Sequence, residues 1–170
     1  MHALIHTRRS TLGHNARRRA AVGFSLVEVV LVVSIIAVLA AIAMPRYARA
    51  AAGYRAEAAA RAVAEHLKLV RARAIAGSRA WTITFRTSDG VVTATPTATS
   101  ADTSDDLVLR AAAEPWKASL DKADFLGEAR FSFDGFGAPS VPGTVDVVAG
   151  SIRSTVTIDL LGNAHWSTQR

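Results

Sequence analysis

The sequence predicts an α+β fold: one long N-terminal helix, half membrane-spanning and half amphipathic, packed on an antiparallel β-sheet head. Three observations carry this expectation. From Phe24 to Met44 run 21 residues of which only Ser25, Glu28 and Ser34 are polar. From Arg46 to Ala76 the chain is rich in Ala, and Val63, Leu67, Val70 and Ala74 recur at helical spacing. After Gly77 the apolar period changes from that of a helix to that of a strand, and turn signals recur. The chain therefore divides into a basic leader (1–23), a transmembrane half of the helix (24–44), an amphipathic half (45–77) and a β-rich head (78–170).

The leader carries Arg8, Arg9, Arg17, Arg18 and Arg19 without Asp or Glu, which is five of the net charge of +6. Arg17-Arg18-Arg19 stands just before the apolar run. Positive flanks stay cytoplasmic, so the N-terminus is expected inside and everything after Met44 outside. A nucleic-acid-binding arm fits the overall basicity but not this placement against an apolar 21-mer. His2, His6 and His14 lack the regular spacing of a metal site. The chain has no cysteine, which excludes disulfides and thiolate metal sites.

As a helix, the run from Phe24 to Met44 is about 31 Å long, the thickness of a bilayer's hydrocarbon core. It is apolar all round, as a lipid-facing helix is and a soluble surface helix is not. A signal anchor needs no more than this, but Glu28 does not fit a bland anchor. A carboxylate in a bilayer costs about 2.5–3.5 kcal/mol on insertion scales, and such residues usually have a partner. Gly23 is a small residue at the end of the leader. Cleavage after it leaves a free amine on Phe24, and in an assembly of parallel helices that cation could neutralise Glu28 of a neighbour.

Pro45 removes a backbone donor and is expected to kink the helix where it leaves the lipid. Tyr47 and Tyr54 follow. Glu57 and Arg61 have the spacing of a favourable i, i+4 pair. Arg71 and Arg73 are expected in the last turn, with Gly77 as the stop. Trp81, Ile83 and Phe85 then alternate with polar residues as a half-buried strand. Asp89-Gly90 turns the chain, and residues 91–95 return. Residues 96–106 read as an exposed low-complexity loop. Its Asp102, Asp105 and Asp106 lack the ligand spacing of a calcium loop. Short strands are expected at 107–109, at Phe131 and Phe133, at Val145 and Val147, from Val156 to Leu160, and from Ala164 to Ser167. Residues 114–128 stay ambiguous between a short helix and a loop. The sheet should lay its Trp, Phe, Ile and Val face on the stripe Val63–Ala74.

Gly23-Phe24-Ser25-Leu26-Val27-Glu28 resembles the processing motif of type IV prepilins and type II secretion pseudoprepilins. The resemblance covers residues 17–47. It implies a pilin-like fold, and cleavage between Gly23 and Phe24 by a membrane-embedded prepilin peptidase that also N-methylates Phe24. It further implies an assembly role for Glu28 and a helix-kinking role for Pro45. Within the head, the strand with Phe85 followed by Asp89-Gly90 is similar to the GspH/FimT pseudopilins. So are Arg130-Phe131-Ser132-Phe133-Asp134-Gly135-Phe136-Gly137 and the close at Leu160-Leu161-Gly162. The helix pattern Ala64, Leu67, Arg71, Ala74, Ile75 belongs to the same likeness. The resemblance implies a minor pilin or pseudopilin, a structural subunit at a filament tip or in assembly initiation. Its implied partners are the peptidase/methyltransferase, other pilins or pseudopilins, an inner-membrane assembly platform and the membrane. Its implied place is the bacterial inner membrane, single-pass, head periplasmic, and then the filament.

Two alternatives stay open. One is a DNA-binding minor pilin for natural transformation, the other an uncut membrane-anchored periplasmic domain. Family members that bind DNA do so through a basic segment after the final Gly. Here that segment, 163–170, holds Arg170 as its one Arg. Residues 46–79 carry eight Lys or Arg against Glu57 and Glu65, whereas residues 80–170 carry seven against eleven Asp or Glu. An acidic head argues against nucleic acid, whose phosphates need cations. No enzyme constellation stands out, and no cofactor or metal is expected. Glu65-His66 lacks the i, i+4 His pair of a helical zinc motif. Gly135-x-Gly137 lacks the third Gly and the helix of a phosphate loop.

Overall fold

The computed structural model describes residues 24–97 and 106–169. The leader 1–23, with Gly23, lies outside them, as do Asp102, Asp105 and Arg170. The chain divides into two units, Met1–Leu39 and Ala40–Arg170. Helix α1 spans Leu26–Gly77, 52 residues, and supplies residues to both. Ser25 stands at its N-cap position and Glu28 in its first turn. Ser25 and Glu28 have the S-x-x-E spacing of a capping box, and an acidic residue there complements the positive end of the helix dipole. Every residue from Phe24 to Ala50 is exposed. The span is long and apolar enough to cross a membrane. The helix continues through Pro45.

In the second unit the expected stripe is the core. Val63, Leu67, Val70 and Ala74 are buried completely, together with Ala56, Ala60 and Ala64. These small side chains line the rest of the same helix face and keep its buried side narrow. The helix ends differently from expectation. Its last turn lacks a basic residue, because it runs to Gly77 and leaves Arg71 and Arg73 a turn inside. The left-handed residue is Ser78 (φ 46°), not Gly77. Its N–H donates to the Ile75 carbonyl and that of Arg79 to Ala74, both at 3.1 Å. This is the pair of bonds that satisfies the carbonyls of a Schellman end. Glu57 and Arg61 do not pair as expected, since the Arg61 guanidinium lies 5.9 Å over the Trp166 ring.

Two antiparallel four-stranded sheets, not one, face the helix. The strands are β1 (Trp81–Arg86), β2 (Val91–Pro96), β3 (Leu107–Arg110), β4 (Ser119–Asp124), β5 (Arg130–Phe133), β6 (Gly143–Ala149), β7 (Ile152–Ile158) and β8 (Ala164–Gln169). The first sheet has the order β3-β2-β1-β5, the second β4-β6-β7-β8. Alternation works as expected in β1, where Trp81, Ile83 and Phe85 point inward, and in β6, where Val145, Val147 and Ala149 do. The ambiguous segment 114–128 is neither helix nor plain loop. It supplies β4, an edge strand whose residues are mostly polar and whose register shifts between Leu120 and Lys122. Leu160 is not in a strand. The chain turns at Asp159, after Ile158, and leaves Leu160 exposed.

Four of the six phenylalanines meet where the sheets join. Phe125 follows β4 and stacks on Phe85 and Phe131 of the first sheet at ring distances of 5.2 and 4.5 Å. Phe133 meets Phe131 edge-on at 5.0 Å. Such offset and edge contacts add to the area the rings bury.

Candidate assembly surfaces

The helix N-terminus presents Phe24 and Glu28 to the surroundings, both exposed. Among the described residues nothing covers either.

On the head, the described residues form a second, unexpected site around Arg71. Two loops of one design meet it. In each, an Asp is followed three residues later by a Gly with positive φ: Asp134 with Gly137 (82°) and Asp159 with Gly162 (79°). Oδ1 of Asp134 accepts from the N–H of Phe136 (2.9 Å) and of Ala138 (2.8 Å). Oδ1 of Asp159 accepts from the N–H of Leu161 (2.9 Å) and of Asn163 (2.8 Å). The Gly N–H donates back to the Asp carbonyl at 3.0 Å in both. This is a type I turn closed by a left-handed Gly, a hairpin connection in which the Asp side chain replaces water on the exposed amides. The hydrogen bonds from Asn163 hold the Asp159 carboxyl below its ordinary value.

Arg71 clasps the two loops to α1. Its Nε donates to the Gly137 carbonyl at 2.9 Å and its Nη1 to Oδ1 of Asn163 at 3.1 Å. A rigid planar fork suits two acceptors on two loops, which a Lys could not reach together. The clasp fixes the outward side chains, Phe136, Leu160 and Leu161, all highly exposed.

A third surface runs beside it along β8. Trp166 lies under the Lys68 ammonium (5.7 Å) as well as Arg61. Lys68 also pairs with Glu65 at 3.0 Å. Among the described residues no group of His, Asp or Glu could hold a metal ion.

Gly23, singled out by its place before the apolar run, lies outside the described residues. The sequence reading used Arg71 as a helix-end residue and Arg71 and Asp134 as parts of a family pattern, did not single out Asp159, and missed the clasp. The repeated Asp-x-x-Gly, at 134–137 and 159–162, is the signal that pointed to it.

The model of the family described as Type II transport protein GspH matches residues 59–162. A comparison with curated proteins finds no match. Among solved structures, the chain is similar to the minor pseudopilin EpsH from the Type 2 Secretion System of Vibrio cholerae. The two share 13% identity over 67% of this chain and 97% of that one, with a TM-score of 0.49.

Proposed function

Since the chain belongs to the GspH family of type II transport proteins, we propose that it is a minor pseudopilin. In this reading it is a structural, non-enzymatic subunit of a type II secretion pseudopilus, or of a type IV pilus, at the filament tip or at assembly initiation. The observation that carries the reading is the bare apolar half of α1, exposed on all sides and joined to a head of this family. A soluble domain would not leave such a surface uncovered. A bilayer covers it first, and the helices of neighbouring subunits cover it in a filament. The precursor sits in the inner membrane with its head in the periplasm. A prepilin peptidase cuts after Gly23 and methylates the new Phe24 amine. That amine lies about 6 Å along the helix from Glu28 at 1.5 Å per residue. A neighbour shifted by this distance brings amine and carboxylate together and compensates both charges in lipid, where an unpaired carboxylate costs a few kcal/mol.

The test combines mass and recovery. In cells with an active prepilin peptidase, the membrane-extracted protein should begin at methylated Phe24, and Gly23→Val should leave the precursor. Glu28→Ala should be cut and inserted normally yet recovered poorly with its partner pseudopilins. A chain that still begins at Met1, or full recovery of the complex by Glu28→Ala, refutes the reading.

A further inference from the structure

We infer that the bare neck of α1, between the apolar run and the head, binds the anionic headgroups of a phospholipid surface through Arg46, Tyr47 and Arg49. The inference rests on the reading above that a bilayer covers the apolar half of α1.

Every residue from Ala40 to Ala50 is exposed, although the helix is continuous there. The head first closes on α1 just beyond. Ala51, Ala52 and Gly53 are half-buried, and a Cβ at Gly150, in the turn between β6 and β7, would meet the Ala52 Cβ at 3.2 Å. The apolar run stops at Met44. At 1.5 Å per residue, Arg46, Tyr47 and Arg49 stand about 3, 4.5 and 7.5 Å beyond it along the axis, and Ala52 about 12 Å. The polar layer of a bilayer adds about 5–7.5 Å on each side of the hydrocarbon. The three side chains therefore start within that layer, before the head begins. Helical side chains also lean towards the N-terminus, which here is towards the lipid.

The side chains have the chemistry that this layer takes. Between Glu28 and Glu57 the chain has no Asp or Glu, and its charges are Arg46, Arg49 and Arg55. Neither Arg46 nor Arg49 has an ion pair or a side-chain hydrogen bond among the described residues. A guanidinium takes a phosphate with two parallel hydrogen bonds. Tyr47, 78% exposed, has the amphipathic ring that is enriched where lipid meets water. A protein partner would meet one side of the helix. At about 100° per residue, Arg49, Arg46 and Tyr47 spread over about 160° of its circumference, and no side of the neck is covered. A headgroup layer surrounds the helix and meets all three at once. The contact sets how deep α1 sits, and it has to break when the subunit leaves the bilayer for a filament.

The full chain in phosphatidylcholine vesicles, with a trace of spin-labelled lipid, provides the test. The motionally restricted fraction of spin-labelled phosphatidylglycerol is compared with that of spin-labelled phosphatidylcholine. The basic leader is the same in every variant, so differences between variants report the neck. Arg46 and Arg49 are exposed and unpaired, so Gln at either position keeps the fold. Arg46→Gln with Arg49→Gln should lower the preference for phosphatidylglycerol about twofold or more, as losing two cations at an anionic surface does. Arg73→Gln removes an exposed cation about 44 Å beyond Met44 and should leave the preference unchanged. Salt at about 1 M, where screening acts within about 3 Å, should erase most of the difference between wild type and the double variant. Equal preference in wild type and the double variant, or an equal fall in Arg73→Gln, overturns the inference. A photo-crosslinker at the exposed Ala48, in cell membranes, should capture phospholipid. Capture of a protein and no lipid overturns the choice of a lipid surface. Alkaline washing of the vesicles separates the two failures. A chain that washes off refutes the membrane reading itself. A chain that stays, with the same preference in every variant, keeps that reading and removes the neck contact.

Discussion

Replacing Arg71 by Ala tests the loop clasp. The substitution removes two hydrogen bonds from a charged donor, at 2.9 Å to Gly137 and 3.1 Å to Asn163. Bonds to charged groups contribute about 1.5–3 kcal/mol each when buried. Arg71 is half-buried, so the lower end applies, about 1–1.5 kcal/mol per bond. Asn163 keeps the bond that its Nδ2 donates to Asp159 at 3.0 Å, while its Oδ1 loses the Arg71 donor. The Gly137 carbonyl loses its side-chain donor. The sum is about 2–3 kcal/mol. For a domain of this size, at roughly 4 °C per kcal/mol, the melting temperature should fall by about 8–12 °C. The assay is thermal unfolding of the detergent-solubilised full chain, followed by tryptophan fluorescence, since Trp81 is buried in the core. Arg71→Lys reaches one acceptor at a time and should recover no more than half the loss. A melting temperature within about 1 °C of wild type for Arg71→Ala, or full recovery by Lys, refutes the clasp.

Two further outcomes follow from the core. Leu67 is completely buried, so Leu67→Ala should lower stability by about 2–5 kcal/mol. Leu67→Asp should lower it more, because it buries a charge without a partner; unchanged melting of either would show that the stripe is not covered. His66 adds a pH dependence. Burial pushes its imidazole below the ordinary value of 6.5, against a smaller opposing pull from the Leu107 backbone, and its Nε2 has no partner among the described residues. The unfolded chain therefore binds the proton first as pH falls. Its contribution is intact above pH 6.5 and is lost as pH drops below that value towards the lower folded one. Melting temperature should fall from pH 7 to about 5, and His66→Phe should flatten that fall; an equally steep fall in the variant would assign it to carboxylates.

The helix was legible because its pattern is long. A run of 21 residues with only three polar ones and a stripe of about three turns leave little else for the chain to do. β1, β5 and β6 were legible because inward and outward residues alternate, and β2 because Asp89-Gly90 turns the chain back beside β1. β4 was not, since Ser-Leu-Asp-Lys-Ala-Asp offers one core residue, Leu120, on an edge that solvent largely covers. The end of β7 was misread for the opposite reason. Leu160 continues the alternation of Val156 and Ile158, yet Asp159 finds a better arrangement by binding the amides ahead of it. Local side-chain bonding won there over hydrophobic period. The roles proposed for Glu28 and Phe24 come from sequence alone, from a chemistry that conflicts with an anchor's, a contrast that needs no tertiary structure. The Arg71 clasp joins residues 66 and 92 positions apart, and no local pattern reports such a pairing.

The path of the chain between the sheets has a consequence for how the head acquires its structure. After three strands of the first sheet the chain lays down β4 of the second, then returns with β5 to complete the first beside β1, and only then adds β6, β7 and β8. Neither sheet is finished before the other has begun. Phe125, between β4 and β5, packs against rings of the first sheet while the strand just before it belongs to the second. The interleaving makes half a head worthless. A chain emerging from a membrane cannot consolidate one sheet and wait for the next, and late pairing of distant strands slows the process. Heat or denaturant should accordingly undo both sheets in one transition, with no surviving subdomain.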